Sequence, residues 1–554
     1  MLPRYKNYQK LYNSFKLKIP KFFNIAEATV DKFSNTNRIA LKNILNDGSV
    51  NYFTFNEIFK KSNKLANALN YLGLKSKDRV GILLGQCPET LISHIACFKG
   101  GIISIPLFCL FGEQALKFRL DDSKTSAVIC DEIGLQKIIK IRNDLPFLKY
   151  VICIDRKKSE KSIISFSELL SNSKNVYKNF ITNSFDPAVI IYTSGTTGDP
   201  KGAVLPHKVL LGHIPGVEMP HEFLSSNLPV NDCFWTPADW AWIGGLFDIL
   251  MPSLFFGIPV ISHRDSKFDP EFAFSLMEKF EVKNTFLPPT ALKIMKSFNE
   301  NKKRPNLRLR TVGSGGEALG EELLHWGKEI LNVGINEFYG QTECNLTVSN
   351  NGSIMKQKLS SIGRPVPGHN VKLKNNEGNF ITEENNEGEI VVEANSPSIF
   401  LGYWGNEKET NNKIINGWLH TGDYATFDNE GYFYFKGRKD DIINTSGYRV
   451  GPTEIENSIL SLDEVEMVAV IGVSDEVRGE IIKAIVVPKD KSIIKSGNIE
   501  LKKRIKEHVK NNLAAYEYPR LIEFKKGLPL TTTGKIKRNI LRKDHLEEKY
   551  ERKI

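Results

Sequence analysis

Ala188-Val189-Ile190-Ile191-Tyr192 runs straight into Thr193-Ser194-Gly195-Thr196-Thr197-Gly198-Asp199-Pro200-Lys201-Gly202. The apolar run reads as a buried strand. The polar run that leaves it has four hydroxyl side chains, three glycines and a lysine. Glycines let backbone N–H groups close on an anion, the hydroxyls add donors, and Lys201 adds positive charge. That is the chemistry of a triphosphate cradle. It is not a G-x-x-x-x-G-K-[ST] loop, because the glycine spacing differs and Gly202 follows the lysine.

Upstream, Thr54 and Glu57 form a capping box ahead of Ile58, Leu65 and Leu69, which predicts a helix over 55–72 ended by Gly73. Strand patterns at 79–84, 102–106, 127–130 and 150–154 alternate with helical ones, including a helix opened by Pro88 and closed by Gly100-Gly101. Such alternation argues for parallel α/β sheets. Residues 155–185 read as a polar surface excursion. Downstream, 234–242 packs Trp235, Trp240 and Trp242 together ahead of Gly244-Gly245, as the wall of an apolar pocket would. A helical run at 247–255, strands at 259–262 and 284–287 and a helix at 270–280 continue the α/β pattern. Strand 309–314 exits into Gly315-Gly316-Glu317, a place where doubly wound sheets bind ligands. Thr342-Glu343 ends the next strand; a carboxylate beside a triphosphate loop is a candidate Mg²⁺ ligand.

From about 360 to 435, short alternating runs and Asn-Gly-type turns predict an antiparallel barrel, with Asp423 at a turn. The charged stretch Gly437-Arg438-Lys439-Asp440-Asp441 reads as a domain boundary, and the rest as a small α+β domain. Its tail carries Lys535 on a polar loop.

The 554 residues exceed a single core, and 41% hydrophobic with 25% charged residues describes a globular, soluble chain. Lysines spread along the chain account for the net charge of +11, so no nucleic-acid partner is expected. The seven scattered cysteines read as core residues of a reduced compartment. There is no run of apolar residues long enough for an integral membrane segment, and residues 1–21 lack a cleavage signal, so a cytoplasmic protein is expected.

The ordered set of the 193–202 loop, Gly316-Glu317, Tyr339-Gly340-Gln341-Thr342-Glu343, Thr421-Gly422-Asp423, Gly437-Arg438-Lys439-Asp440, Ser446-Gly447-Tyr448-Arg449 and Thr533-Gly534-Lys535 resembles the adenylate-forming superfamily. The likeness is nearest to its acetyl-CoA and medium-chain acyl-CoA synthetases. It implies an AMP-binding N-terminal domain over 1–437, built of parallel α/β subdomains with the barrel at about 360–435. A hinge at 438–441 and a mobile α+β C-terminal domain over 442–554 complete it. The implied reaction is acyl-AMP formation from a carboxylic acid and ATP with Mg²⁺, followed by transfer to coenzyme A.

Carried over by this resemblance, Thr193, Ser194, Gly195, Thr196, Thr197 and Lys201 hold the β- and γ-phosphates. Glu343 holds Mg²⁺ and Thr342 touches the α-phosphate. Gly316, Glu317, Tyr339 and Gln341 line the nucleotide site. Asp423 and Arg438 bind the ribose, and Arg449 reaches a phosphate. Lys535 serves the first step, Asp440 is the hinge, and Ser446 and Gly447 lie near the pantetheine. The acyl pocket falls to Trp242, Ile243, Gly244, Gly315 and Gly340. Acetate enzymes carry a tryptophan where this chain has Gly340, and larger residues at the positions of Gly244 and Gly315. The glycines therefore imply a channel open to a medium-length or branched acid. Acetyl, propionyl and aryl acids, a carrier-protein acceptor and a non-catalytic nucleotide-binding regulator stand as alternatives. A homo-oligomer and a deacetylase acting on Lys535 are the further partners considered.

Overall fold

The computed structural model describes residues 1–551 except 161, 194–198, 225–231, 265–267, 300–304, 318, 440, 446–447, 476–478, 514–516 and 532–534. Two large, mostly parallel sheets form the bulk of the chain. In the first, strands order as 402–403, 201–206, 187–193, 103–106, 79–83, 127–130, 150–153 and 163–165. Strands Ile103–Pro106 and Ala127–Cys130 are buried at every residue, as parallel strands covered on both faces must be. The helix Phe55–Tyr71 starts with the expected capping box, Thr54 and Glu57 each bonding the other's backbone. The helix Pro88–Gly100 stops at Gly101, whose φ of +63° a side chain would resist.

The second sheet runs 364–365, 344–349, 335–341, 311–315, 284–286, 234–235, 260–263, 39–44 and 50–54. Its strands from Ile335–Gln341 across to Ile39–Ile44 pair in parallel, and both ends turn antiparallel. A third, curled antiparallel sheet joins 371–374, 388–393, 418–427 and 414–415, with 433–438 beside 418–427. The C-terminal sheet joins 448–450, 443–445, 479–488 and 465–475, with 521–524 parallel to 479–488. Helices Pro452–Leu460 and Ile499–Asn512 cover it, giving the small α+β unit.

Four expectations need correcting. Residues 155–185 are more than an excursion, because Ile163–Ser165 adds an edge strand and Phe166–Ser171 a helix capped by Ser165. The helix expected from 247 begins at Gly244, with wide π-type spacing up to Leu250. Asp423 does not sit at a turn. It lies within the ten-residue strand Trp418–Phe427, where the register against Gly388–Glu393 slips and Gly422 takes a φ of +76°. A glycine that permits a bulge looks in sequence like one that permits a turn. Arg438, counted in the hinge, is the last residue of strand Phe433–Arg438 and pairs in register with Asp423.

Candidate functional site

A cleft of about 1580 Å³ opens where the two parallel sheets, the curled sheet and the C-terminal unit meet. Its inner wall is a hairpin. Strands Ile335–Gln341 and Cys344–Ser349 pair Gln341 with Cys344, so Thr342 and Glu343 form the turn between them. Glu343 is buried, and the Tyr403 hydroxyl donates to its Oε1 at 2.6 Å. That bond to a carboxylate, added to burial, holds the Tyr403 hydroxyl above its usual range.

Beside the hairpin, the strand bulge at Gly422 turns Asp423 inward. Asp423 is buried and its Oδ2 accepts from Tyr339 Oη at 2.7 Å and Gln341 Nε2 at 2.6 Å. Arg438 Nε lies 3.5 Å from Asp423 Oδ1, completing the cage. Lys413 Nζ donates to Gln341 Oε1 at 3.2 Å and to the Thr421 carbonyl at 3.0 Å, which ties the hairpin to the curled sheet. A fixed carboxylate with one oxygen turned toward a cleft is suited to accepting sugar hydroxyls.

Glu317 follows Gly316, whose φ is +94° at the exit of strand Thr311–Gly315. Thr290 Oγ1 donates to Glu317 at 3.1 Å, and burial raises its carboxyl above the usual range. Thr193 and Lys201 face each other in register at the base of the polar loop. Lys201 is ion-paired with Glu409 on helix Glu407–Lys413. From the C-terminal unit, Lys535 enters the opposite side of the cleft. Backbone bonds to Thr531 hold its loop, at 2.7 and 2.9 Å. Desolvation pulls the Lys535 ammonium below its usual range, opposed first by Glu317 and aided by Arg438. Lys535 is itself exposed to solvent. Solvent screening therefore leaves that pull weaker than full burial would make it.

Thr193, Lys201, Trp242, Gly316, Glu317, Tyr339, Gly340, Gln341, Thr342, Glu343, Asp423, Arg438 and Lys535 thus meet at one cleft. Ser194, Gly195, Thr196, Thr197, Asp440, Ser446 and Gly447 lie outside the described residues. Arg449 lies on strand Tyr448–Val450, opposite Asn444. Among the described residues, no group of three or more His, Cys, Asp or Glu side chains could hold a metal by itself. The donor set fits Mg²⁺ bound by one carboxylate together with phosphate oxygens.

The acyl pocket departs from expectation. Ile243, Gly244 and Gly315 are buried away from the cleft. A Cβ on Gly244 would lie 2.7 Å from the Trp242 ring, and one on Gly315 would lie 2.6 Å from both the ring and the carbonyl of Phe338. A Cβ on Gly340 would come within 2.3 Å of Leu346 N and 2.9 Å of Asn345 Cα. These glycines permit close packing of aromatic rings and main chain. Trp242 and Phe338 line the cleft, and the buried Phe286 packs behind both, its ring centroid 5.7 Å from Trp242 and 5.3 Å from Phe338.

The sequence reading missed Tyr403, Glu409 and Lys413, which steady Glu343, Lys201 and Gln341. Asp441, placed in the hinge, is held by Arg538 at 3.3 Å and by Arg542 at 2.9 Å, partners the sequence did not point to. The only local signal was the cap of helix Glu407–Lys413 by Asn406.

Comparison with known proteins places this geometry. The AMP-binding enzyme family profile matches residues 28–404, and the profile of the AMP-binding enzyme C-terminal domain matches 454–535. The chain is 30% identical to acyl-coenzyme A synthetase ACSM2, mitochondrial, of Rattus norvegicus, across 95% of this chain and 92% of that one. It is 33% identical to acetyl-coenzyme A synthetase of Bacillus subtilis, across 88% and 84%. The crystal structure of the anthranilate CoA ligase AuaEII in complex with anthranoyl-AMP superposes with a TM-score of 0.84 at 26% identity, covering 95% of this chain and 98% of that one. No helix among the described residues is long and apolar enough to cross a membrane.

Proposed function

Because this chain belongs to the AMP-binding enzyme family and is an AMP-forming ligase of the acyl-CoA synthetase type, we propose that it activates an apolar carboxylic acid with ATP and passes the acyl group to coenzyme A. The observation that carries this reading is one cleft with Glu343 and Asp423 on its inner wall and Lys535 entering from the C-terminal unit.

In the first step a carboxylate oxygen attacks the α-phosphate, forming a C–O–P bond as the bond to pyrophosphate breaks. Such a displacement needs alignment and charge neutralisation more than covalent help. Asp423, oriented by Tyr339 and Gln341, accepts the ribose hydroxyls, and Arg438 stands beside them. Gly316 gives the adenine a flat approach next to Glu317. Thr193 and Lys201, with the 194–197 loop, receive the β- and γ-phosphates. For that, Lys201 exchanges Glu409 for phosphate. Glu343, steadied by Tyr403, would hold Mg²⁺, which supplies charge neutralisation on the phosphate oxygens. Thr342 and Lys535 meet the α-phosphate. In the second step the coenzyme A thiolate attacks the acyl carbonyl and AMP leaves, with Ser446 and Gly447 near the pantetheine and Arg449 near a phosphate.

The acyl group rests against Trp242, which is only partly buried and faces Gly316; even a Cβ there would stand 3.4 Å from its ring. A medium-length or branched chain laid along that wall is the first reading. The rings of Trp242 and Phe338 on the cleft favour an aryl acid as the second reading, in keeping with the anthranilate ligase likeness. Pyrophosphate release measured over acids from acetate to decanoate, with branched and aryl members, decides between them. Turnover that depends on both acid and coenzyme A is expected. Release that needs a carrier protein instead, or no release with any acid, refutes the proposal.

A further inference from the structure

Directly after Trp242, residues Gly244–Leu250 wind with π-type spacing, and all seven are buried. Such stretches are rare and gather at functional sites. The one acid in it, Asp248, is buried. Its Oδ1 accepts from Asn345 Nδ2. The same amide nitrogen lies 3.5 Å from His213 Nδ1, on helix Val209–Glu218, and the His213 ring stands edge-on to Phe247 at 5.6 Å. Asn345 is also the residue whose Cα crowds Gly340.

The bond between Asp248 and Asn345 therefore joins two separate walls. One begins at Trp242. The other is the hairpin strand that follows the Thr342-Glu343 turn. Neither residue lines the cleft. Burying an acid and an amide here is costly unless each finds its partner, so the pair has a strong geometric preference. Apolar side chains would fill the same volume without fixing the distance between walls.

We propose that Asp248 and Asn345 are positioning residues that set the spacing between the Trp242 wall and the hairpin, and through it which acyl groups are held in line with the α-phosphate. This rests on the reading of Trp242 as the acyl wall of an acyl-CoA synthetase. The clamp acts on the acid and not on the nucleotide, whose partners Tyr339 and Gln341 lie on the strand before the hairpin turn and Asp423 on the curled sheet.

The test is steady-state pyrophosphate release by full-length wild type, Asp248→Asn and Asp248→Leu over a panel of alkyl and aryl acids, with KM for acid and for ATP determined separately. Asp248→Asn keeps an oxygen acceptor and should keep the wild-type order of acids. Asp248→Leu should raise the acid KM about tenfold, the worth of one buried hydrogen bond, reorder the acids and leave the ATP KM within about twofold. If Asp248→Leu does not fold, Asn345→Ala removes the donor alone and carries the same expectation. A fall in kcat with both KM values and the order of acids unchanged would mark the pair as merely structural and overturn the clamp. A wild type lacking acid-dependent pyrophosphate release overturns the proposed function and the clamp with it. A wild type that turns over while the variants keep its acid KM overturns the clamp alone.

Discussion

Replacing Gly340 by alanine adds one methyl group, and the two accounts of this glycine disagree about its effect. If Gly340 opened an acyl channel, the methyl would fit and only longer acids would lose. The structure aims that Cβ at main chain, 2.3 Å from Leu346 N and 3.0 Å from Asn345 C. Real Cβ contacts do not come so close, and backbone cannot swing aside as a side-chain tip can. The hairpin must open at the register shift between Tyr339 and Gln341. Forced overpacking of this kind costs about 1–3 kcal/mol. The same shift displaces the two-residue turn holding Thr342 and Glu343. Misplacing catalytic groups by about 1 Å can cost on the order of 100-fold in rate. Gly340→Ala should therefore lower the unfolding midpoint and reduce kcat/KM for ATP by about that factor, with the loss not confined to longer acids. Urea unfolding followed by tryptophan fluorescence, with pyrophosphate release across the acid panel, reads both. A variant with wild-type stability and ATP kinetics that loses only longer acids would refute the packing argument and restore the channel.

Lys535→Ala should nearly abolish acyl-AMP formation while thioester formation from supplied acyl-AMP survives; equal loss in both half-reactions contradicts the assignment. Because its ammonium is held below the usual lysine range, adenylation should fall as pH rises through that lowered value, and Lys535→Arg should move the alkaline limb upward. Asp440 lies outside the described residues, and proline there fixes φ. Asp440→Pro should spare adenylation and slow the coenzyme A step, and wild-type rates in both half-reactions would remove it as hinge. Glu337 is buried with Leu319 N at 3.3 Å, and burial pushes its carboxyl up to about 8. Between the ordinary value of 4.5 and that one, the folded chain keeps a proton the unfolded chain has lost, so this residue makes stability fall with rising pH. Glu337→Gln should flatten the melting temperature across pH 5–8; an unchanged slope assigns it to other groups.

What sequence made legible was local. The helix Phe55–Tyr71 needs only its capping box and apolar stripe, and Pro88–Gly100 only a proline to open it and Gly101 to close it. Among the described motif residues, Glu317, Glu343 and Asp423 meet at one cleft because they follow a strand exit, a hairpin turn and a bulge. What escaped depended on direction or on distant partners. A glycine in sequence does not reveal where its missing Cβ would point, so Gly244, Gly315 and Gly340 read as open space while rings and main chain occupy it. Lys201 and Glu409 are 208 residues apart, and Glu343 and Tyr403 are 60 apart. No window of sequence joins them.

The cores bear on how one cleft could serve two steps. The apolar cluster from Ile443 to Phe524 and the smaller one from Ala469 to Leu541 draw every member from the C-terminal unit. The largest cluster takes none from it. Contacts across the boundary are of another kind, such as the ion pair of Lys436 with Glu454 and the field of Glu317 on Lys535. Charged contacts exchange for water at little cost, whereas separating a shared apolar core would not. Asp441, tied to Arg538 and Arg542, belongs with the C-terminal unit, while Arg438 belongs to the curled sheet through Asp423. The chain between them, Lys439 and Asp440, is then the shortest place where a rotation could be absorbed without breaking either core. Such a rotation would carry Lys535 out of the cleft, since its loop belongs to the C-terminal unit.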